Sequence, residues 1–181
     1  MRGYVALLRG VNVGGNNMIN MADLKKAFER RGFHSVVTYI NSGNILFFGG
    51  PDEAAVSAEC ADILTADFGM DVAVCVIPAA ELADSLARAP GWWNAEPDAK
   101  HDAFFVIPPA TAAGICGHVG EAKEDYEKAA YHGRVIFWSA PVATYSRTRW
   151  SKLSKDKSMY RAITVRNANT ALKLAELAAK Y

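Results

Sequence analysis

The apolar run Tyr4 to Leu8 reads as a buried strand, and the next periodic segment opens at Asn20, a capping residue, with Met21, Leu24 and Phe28 on one helical face. Gly32 closes that helix. Ser35 to Ile40 is rich in β-branched residues, and Asn44 to Phe48 repeats the pattern across an Asn41-Ser42-Gly43 turn, so the two predict a hairpin. Gly49-Gly50-Pro51-Asp52 breaks the chain and caps a second helix carrying Val56, Cys60, Ile63 and Leu64, which Gly69 ends before a strand from Val72 to Ile77. The order is βαββαβ.

The second half repeats that order in pattern, not in residues. A short helix around Glu81 to Ala89 and a Pro-Gly-Trp-Trp connection lead to a strand from Ala103 to Ile107, stopped by Pro108-Pro109. Thr111 to Val119 predicts a weak helix, because glycine inside a helix costs roughly 1 kcal/mol against alanine and Gly114 and Gly117 fall there, with Gly120 just after it. Glu127 to Tyr131 and Val135 to Trp138 flank His132-Gly133, a polar helix is expected near Arg147 to Ser154, and Arg161 to Val165 forms the last strand. Leu174, Leu177, Ala178 and Tyr181 lie at i, i+3, i+4 and i+7 of a closing amphipathic helix. The pattern predicts an α+β chain of two ferredoxin-like βαββαβ units in tandem with a C-terminal helix. The expected divisions are 1–78, a connecting helix and linker over 79–102, and 103–181.

In a split βαββαβ unit the first two strands run parallel with the third between them. Their C-terminal ends share an edge, so the Gly10 to Asn17 loop should meet the Asn41-Ser42-Gly43-Asn44 turn.

Composition narrows the class. The chain has 181 residues, 51% of them hydrophobic, which suffices for a buried core, and its net charge of +1 gives no global field of the kind many nucleic-acid binders carry. Charge is uneven: between Gly32 and Ala87 stand eight acidic residues and no Lys or Arg, whereas Arg147 to Arg166 holds seven basic residues against Asp156 alone. Such runs usually dock on each other or solvate a face. Cys60, Cys75 and Cys116 are widely spaced and lack histidines at metal spacing, so they read as small hydrophobes in a reducing compartment and no metal site is expected. The first apolar run is too short for a signal-peptide core or a membrane span, which makes the cytoplasm the expected location and excludes a membrane partner.

Candidate chemistry concentrates where strands end. Arg9, Gly10, Asn12, Gly14, Gly15, Asn16 and Asn17 leave the first strand as a run of turn formers, amide groups and one cation, suited to a nest of N–H groups for phosphate or carboxylate. Neither Gly-x-Gly-x-x-Gly nor a Gly-Lys-Ser/Thr ending is present, so the spacing matches no named phosphate loop. The plainer reading is a long turn whose asparagines cap backbone groups. Arg166, Asn167, Asn169 and Thr170 join the last strand to the last helix; one asparagine explains a cap, and the arginine beside free N–H groups suits an anion. The run Arg147-Thr148-Arg149-Trp150-Ser151-Lys152 mixes cations with an aromatic, as nucleic-acid surfaces do, or forms a solvated helix face. Catalytic motifs such as His-Glu-x-x-His and Gly-x-Ser-x-Gly are absent. Asp98, Lys100, His101 and Asp102 ahead of a strand offer acid–base groups, or simply a polar strand start, and Trp92-Trp93 suits core packing or a pocket wall.

Taken together, Leu7-Leu8-Arg9-Gly10 with Asn12-Val13-Gly14-Gly15-Asn16-Asn17, Thr38-Tyr39 with Ser42-Gly43-Asn44, and Arg166-Asn167 with Asn169-Thr170 and Lys173-Leu174 resemble the bacterial domain-of-unknown-function family 1697. The resemblance runs over nearly the whole chain and implies a two-part α+β protein of ferredoxin-like character. It brings no activity, substrate or cofactor. Family members often carry an aromatic where this chain has Ala168, and Gln-Ser-Gly-Asn where it has Asn41-Ser42-Gly43-Asn44.

The leading expectation is a small phosphorylated or otherwise anionic ligand held by Arg9, Asn12, Gly14, Gly15, Asn16 and Asn17, with Asn41, Ser42 and Asn44 beside them and Arg166, Asn167, Asn169 and Thr170 completing the wall. One alternative is nucleic-acid binding through the basic segment 147–166. Another is an enzyme of unassigned reaction using the same loop, with His101 as the local candidate base.

Overall fold

Asn20 starts the first helix for a local reason: its side-chain oxygen accepts from the Ala22 and Asp23 N–H groups, two of the donors a helix start leaves unpaired. In the structure, a computed structural model describing Met1–Tyr181, this helix, α1 (Met21–Arg30), follows strand β1 (Arg2–Leu8) and buries Leu24, Ala27 and Phe28. The hairpin β2 (His34–Tyr39) and β3 (Asn44–Gly49) comes next, then α2 (Glu53–Phe68), capped by Asp52 and ended by Gly69 in the left-handed region, and β4 (Val74–Pro78). The sheet order is β2-β3-β1-β4 with every neighbour antiparallel. That is the split βαββαβ arrangement expected from the sequence.

The first core lies between this sheet and its helices, where Tyr4, Phe28, Phe33 and Phe47 pack with ring centroids 4.6 to 5.9 Å apart. Offset and edge-on ring pairs of this kind add about 0.5–1.5 kcal/mol each beyond area burial. On the helix surface the acidic run meets cations that precede Gly32: Arg31 reaches Glu59 at 2.7 Å and Asp62 at 2.8 Å, and Arg30 reaches Asp67 at 3.3 Å. These pairs hold the Arg31 guanidinium protonated beyond its ordinary range.

After α3 (Ala79–Ala87), the second half forms β5 (Ala99–Val106), α4 (Ala112–Val119), the hairpin β6 (Lys128–His132) and β7 (Val135–Pro141), α5 (Lys157–Arg161), β8 (Ile163–Asn167) and α6 (Ala168–Ala178). The antiparallel order β6-β7-β5-β8 repeats that of the first sheet. Helix α4 forms despite its glycines, capped by Thr111, whose side chain accepts from the Gly114 N–H at 3.1 Å. Chain contacts divide the molecule into one unit of Met1–Ala83 with Leu174–Tyr181 and another of Asp84–Lys173.

Several boundaries differ from the sequence expectation. Strand β5 begins at Ala99, four residues before Ala103, because Ala99 to Asp102 pair with Pro141 to Trp138 across the sheet. Lys100, His101 and Asp102 therefore lie inside a strand, not ahead of one. The polar helix expected near Arg147 to Ser154 is instead two 3₁₀ turns, Tyr145–Arg147 and Trp150–Lys155, followed by α5. Serine and threonine side chains compete with helical bonding here: Thr148 Oγ1 donates to the Tyr145 carbonyl at 2.6 Å and accepts from the Ser151 N–H at 3.0 Å. The last strand sits two residues later than Arg161 to Val165, and Tyr181 lies beyond the end of α6. Tyr181 donates its hydroxyl to the Ser35 carbonyl at 2.6 Å, and its ring lies 4.9 Å from that of Phe48. No helix is long and apolar enough to cross a membrane.

Candidate functional site

In the first unit the loop after β1 folds into a finger. Asn16 donates its N–H to the Val13 carbonyl at 3.1 Å, and Asn12 donates its own to Asn17 at 3.1 Å. Gly14 and Gly15 at the tip have φ of +59° and +78°, the pair of left-handed positions that a type I′ hairpin turn needs. Asn12 and Asn17 also adopt positive φ, which asparagine tolerates better than other side chains.

The expected meeting of loop and turn is present. Asn12 Nδ2 donates to the Asn41 carbonyl at 2.8 Å and to the Ile19 carbonyl at 3.0 Å, while its Oδ1 accepts from the Ile19 N–H at 2.8 Å. The Leu8 N–H donates to the Gly43 carbonyl at 2.8 Å. Asn44 is fully buried and donates to Tyr39 and Ser42, both at 3.0 Å, and Asn17 Nδ2 donates to the Gly10 carbonyl at 3.1 Å. Asn12, Asn17 and Asn44 thus hold the loop and turn in shape, leaving the Gly14, Gly15 and Asn16 tip exposed. Beside this bracket runs an open groove of about 590 Å³ lined by Asn12, Met18, Asn20, Met21 and Asn41. Arg9 is half-buried and its main-chain N–H donates to Ala73 at 2.9 Å.

The second unit places the other motif. Asn167 caps α6, its Oδ1 accepting from the Thr170 N–H at 2.8 Å. The N–H groups of Ala168 and Asn169 fall at the first two helical positions, where no intrahelical acceptor exists. Asn167 and Asn169 are exposed on the wall of an open groove of about 620 Å³, which is also lined by Lys100, His101 and Asp102 of β5 and by the segment from Asn94 to Pro97. The Asp102–Asn167 pairing of β5 with β8 sets that juxtaposition. Burial pushes the Asp102 carboxyl above its ordinary range, against the opposing pull of Lys100 and His101. Arg166 is 8% exposed and donates to Thr164 Oγ1 at 3.0 Å and to the Val165 carbonyl at 2.8 Å, so its cation supports the strand behind the cap.

Three features of the second unit escaped the sequence. Ser139 stands opposite His101 in the β5–β7 register, with Oγ 2.6 Å from Nδ1. Glu127 is buried and accepts from Trp138 Nε1 at 3.0 Å and from the Arg149 and Trp150 N–H groups at 2.8 and 3.2 Å, which anchors the basic segment. Trp150, expected among surface cations, is 3% exposed and packs on Phe104 at 5.1 Å. Each depends on contacts between residues far apart in the chain, which local sequence does not carry.

Residues 1–137 match a family model described as a protein of unknown function, DUF1697. The chain belongs to the DUF1697 family. The DUF1697 match takes in the finger, the Asn41 turn and His101, while Ser139 and Arg166 to Thr170 lie beyond it. Among solved structures, that of the conserved bacterial protein SP0830 from Streptococcus pneumoniae is similar over 98% of each chain, at 26% identity and a TM-score of 0.86. The fold is therefore shared with that protein along nearly the whole chain. No curated protein matches it.

Proposed function

We propose that the protein binds a small anionic ligand, phosphorylated or carboxylated, in the groove at the start of α6. The observation that carries this reading is the meeting of the α6 N-terminus with Lys100 in one open groove, whose lining also includes Glu96 and Asp102. The Ala168 and Asn169 N–H groups and the positive end of the helix dipole favour negative charge, and Lys100 of the adjacent strand β5, whose ammonium rests 4.0 Å from the Tyr145 ring centroid, adds a cation to the lining. Asn167 and Asn169 supply amide groups that select a polar ligand. The exposed finger tip at Gly14, Gly15 and Asn16 is proposed as a separate polar surface of the first unit.

A thermal-shift panel of sugar phosphates, nucleotides and inorganic phosphate tests the groove. At least one ligand should raise the melting temperature of the wild type and lose most of that effect in Lys100→Ala and Asn169→Pro. A ligand that shifts the wild type and both variants equally would place binding elsewhere.

The basic segment supports nucleic-acid binding through six exposed cations, Arg147, Arg149, Lys152, Lys155, Lys157 and Arg161. With Trp150 in the core, no stacking contribution comes from it.

A further inference from the structure

We propose that Ser139 and His101 form a nucleophile–base pair that accepts a short acyl group from an ester or thioester, in a cavity that borders the anion groove at His101. The pair sits in a small cavity of about 120 Å³ in the second unit, walled by Trp92, Tyr126, Glu124 and Asp125 among others. Ser139 is 6% exposed, so the cavity is its route to substrate.

The hydrogen positions follow from the partners. His101 Nε2 lies 2.7 Å from the Glu96 carbonyl, which only accepts, so Nε2 carries the ring hydrogen. Nδ1 receives the Asn94 N–H at 3.1 Å, and a backbone N–H only donates, so Nδ1 presents its lone pair. The remaining partner of that lone pair, the Ser139 hydroxyl at 2.6 Å, must therefore point its hydrogen at His101. This is the arrangement in which an imidazole can take the proton of a serine as it attacks. The ring is held from both sides by one short segment, and Asn94 adopts φ of +61° to deliver its N–H. Positive φ at a non-glycine residue is an uncommon conformation, retained where the surroundings require it.

The step balances without any further reagent. Ser139 Oγ forms a bond to the acyl carbon while its proton passes to Nδ1, which gives up the hydrogen bond from the Asn94 N–H, and the Glu96 carbonyl stabilises the imidazolium through Nε2–H. Collapse breaks the bond to the leaving oxygen or sulfur, which departs with the proton from Nδ1. Water then attacks the acyl-serine, again giving its proton to Nδ1, and the acid leaves as Oγ recovers that proton. The cavity volume limits the acyl group to a few carbons. On the wall, Lys128 is paired with Glu96 at 3.7 Å, which leaves Glu124 and Asp125 to disfavour an acyl group that bears a carboxylate.

A fluorophosphonate probe with intact-mass and peptide analysis tests the pair. The folded wild type should gain one adduct at Ser139, whereas heat-denatured wild type and Ser139→Ala gain none. His101→Gln should slow modification about 100-fold or more. Folded wild type that stays unmodified, or carries the adduct on another serine, would overturn the proposal without recourse to any variant. Among 4-nitrophenyl esters, acetyl should turn over at least tenfold faster than succinyl, and the reverse order would overturn the assigned substrate class.

Discussion

Asn12 Nδ2 lies 2.8 Å from the carbonyl of Asn41, joining a loop and a turn that are 29 residues apart in the chain. The same amide closes on both polar atoms of Ile19, so one side chain ties the finger, the entrance to α1 and the hairpin turn together. Removing it leaves a buried-side N–H and two carbonyls short of partners. Asn12→Ala is expected to cost about 2–3 kcal/mol in chemical denaturation, by the usual cost of stranded hydrogen-bonding groups. Asn12→Asp should be at least as damaging at neutral pH, because a carboxylate cannot donate to Ile19 and Asn41. Equal stability of Asn12→Asp and wild type at pH 7 would contradict the bracket.

Gly43 serves the same junction from the other side. Its φ is +72°, and a Cβ there would stand 2.5 Å from Val11 Cγ2 and 2.7 Å from Leu8 Cβ. Gly15 has φ of +78° with nothing within 4 Å. Gly43→Ala should therefore cost about 2–4 kcal/mol, combining left-handed strain with overpacking, while Gly15→Ala costs about 1 kcal/mol from strain alone. Urea midpoints of the two variants separate these contributions.

Much of the first unit was legible because its signals are local. Asn20, Asp52 and Gly69 each mark a helix end through their own side chain or backbone conformation. The meeting of Asn12 with Asn41 followed from topology once the hairpin had been recognised. The second unit yielded less. Ala99 to Asp102 have a polar character that suits a strand start, and only their pairing with β7 makes them strand. Ser139 gains its chemical interest from His101, 38 residues away, and Glu127 from the Arg149 and Trp150 amides. A basic stretch with one tryptophan looks the same in sequence whether the ring faces solvent or, as here, Phe104.

Asp102 offers a pH test of the groove. Desolvation raises its carboxyl above the ordinary range, so the folded state holds that proton more tightly than the unfolded state does. By linkage, the ionised group opposes folding at pH values above its folded pKa, and that opposition fades as pH falls through it and below the unfolded value. Asp102→Asn is expected to melt higher than wild type at pH 7, with the difference shrinking toward the acid end of the carboxylate range. A gap that widens on acidification would reverse the assigned cause.

Backbone amide resonances read the proposed ligand site most directly. Titration of the ¹⁵N-labelled protein with inorganic phosphate should give saturable shifts at Ala168 and Asn169, with Lys100 responding on the adjacent strand. Spectra in which those amides stay still while phosphate moves only Gly14, Gly15 and Asn16, or moves nothing, would contradict an anion site at the start of α6.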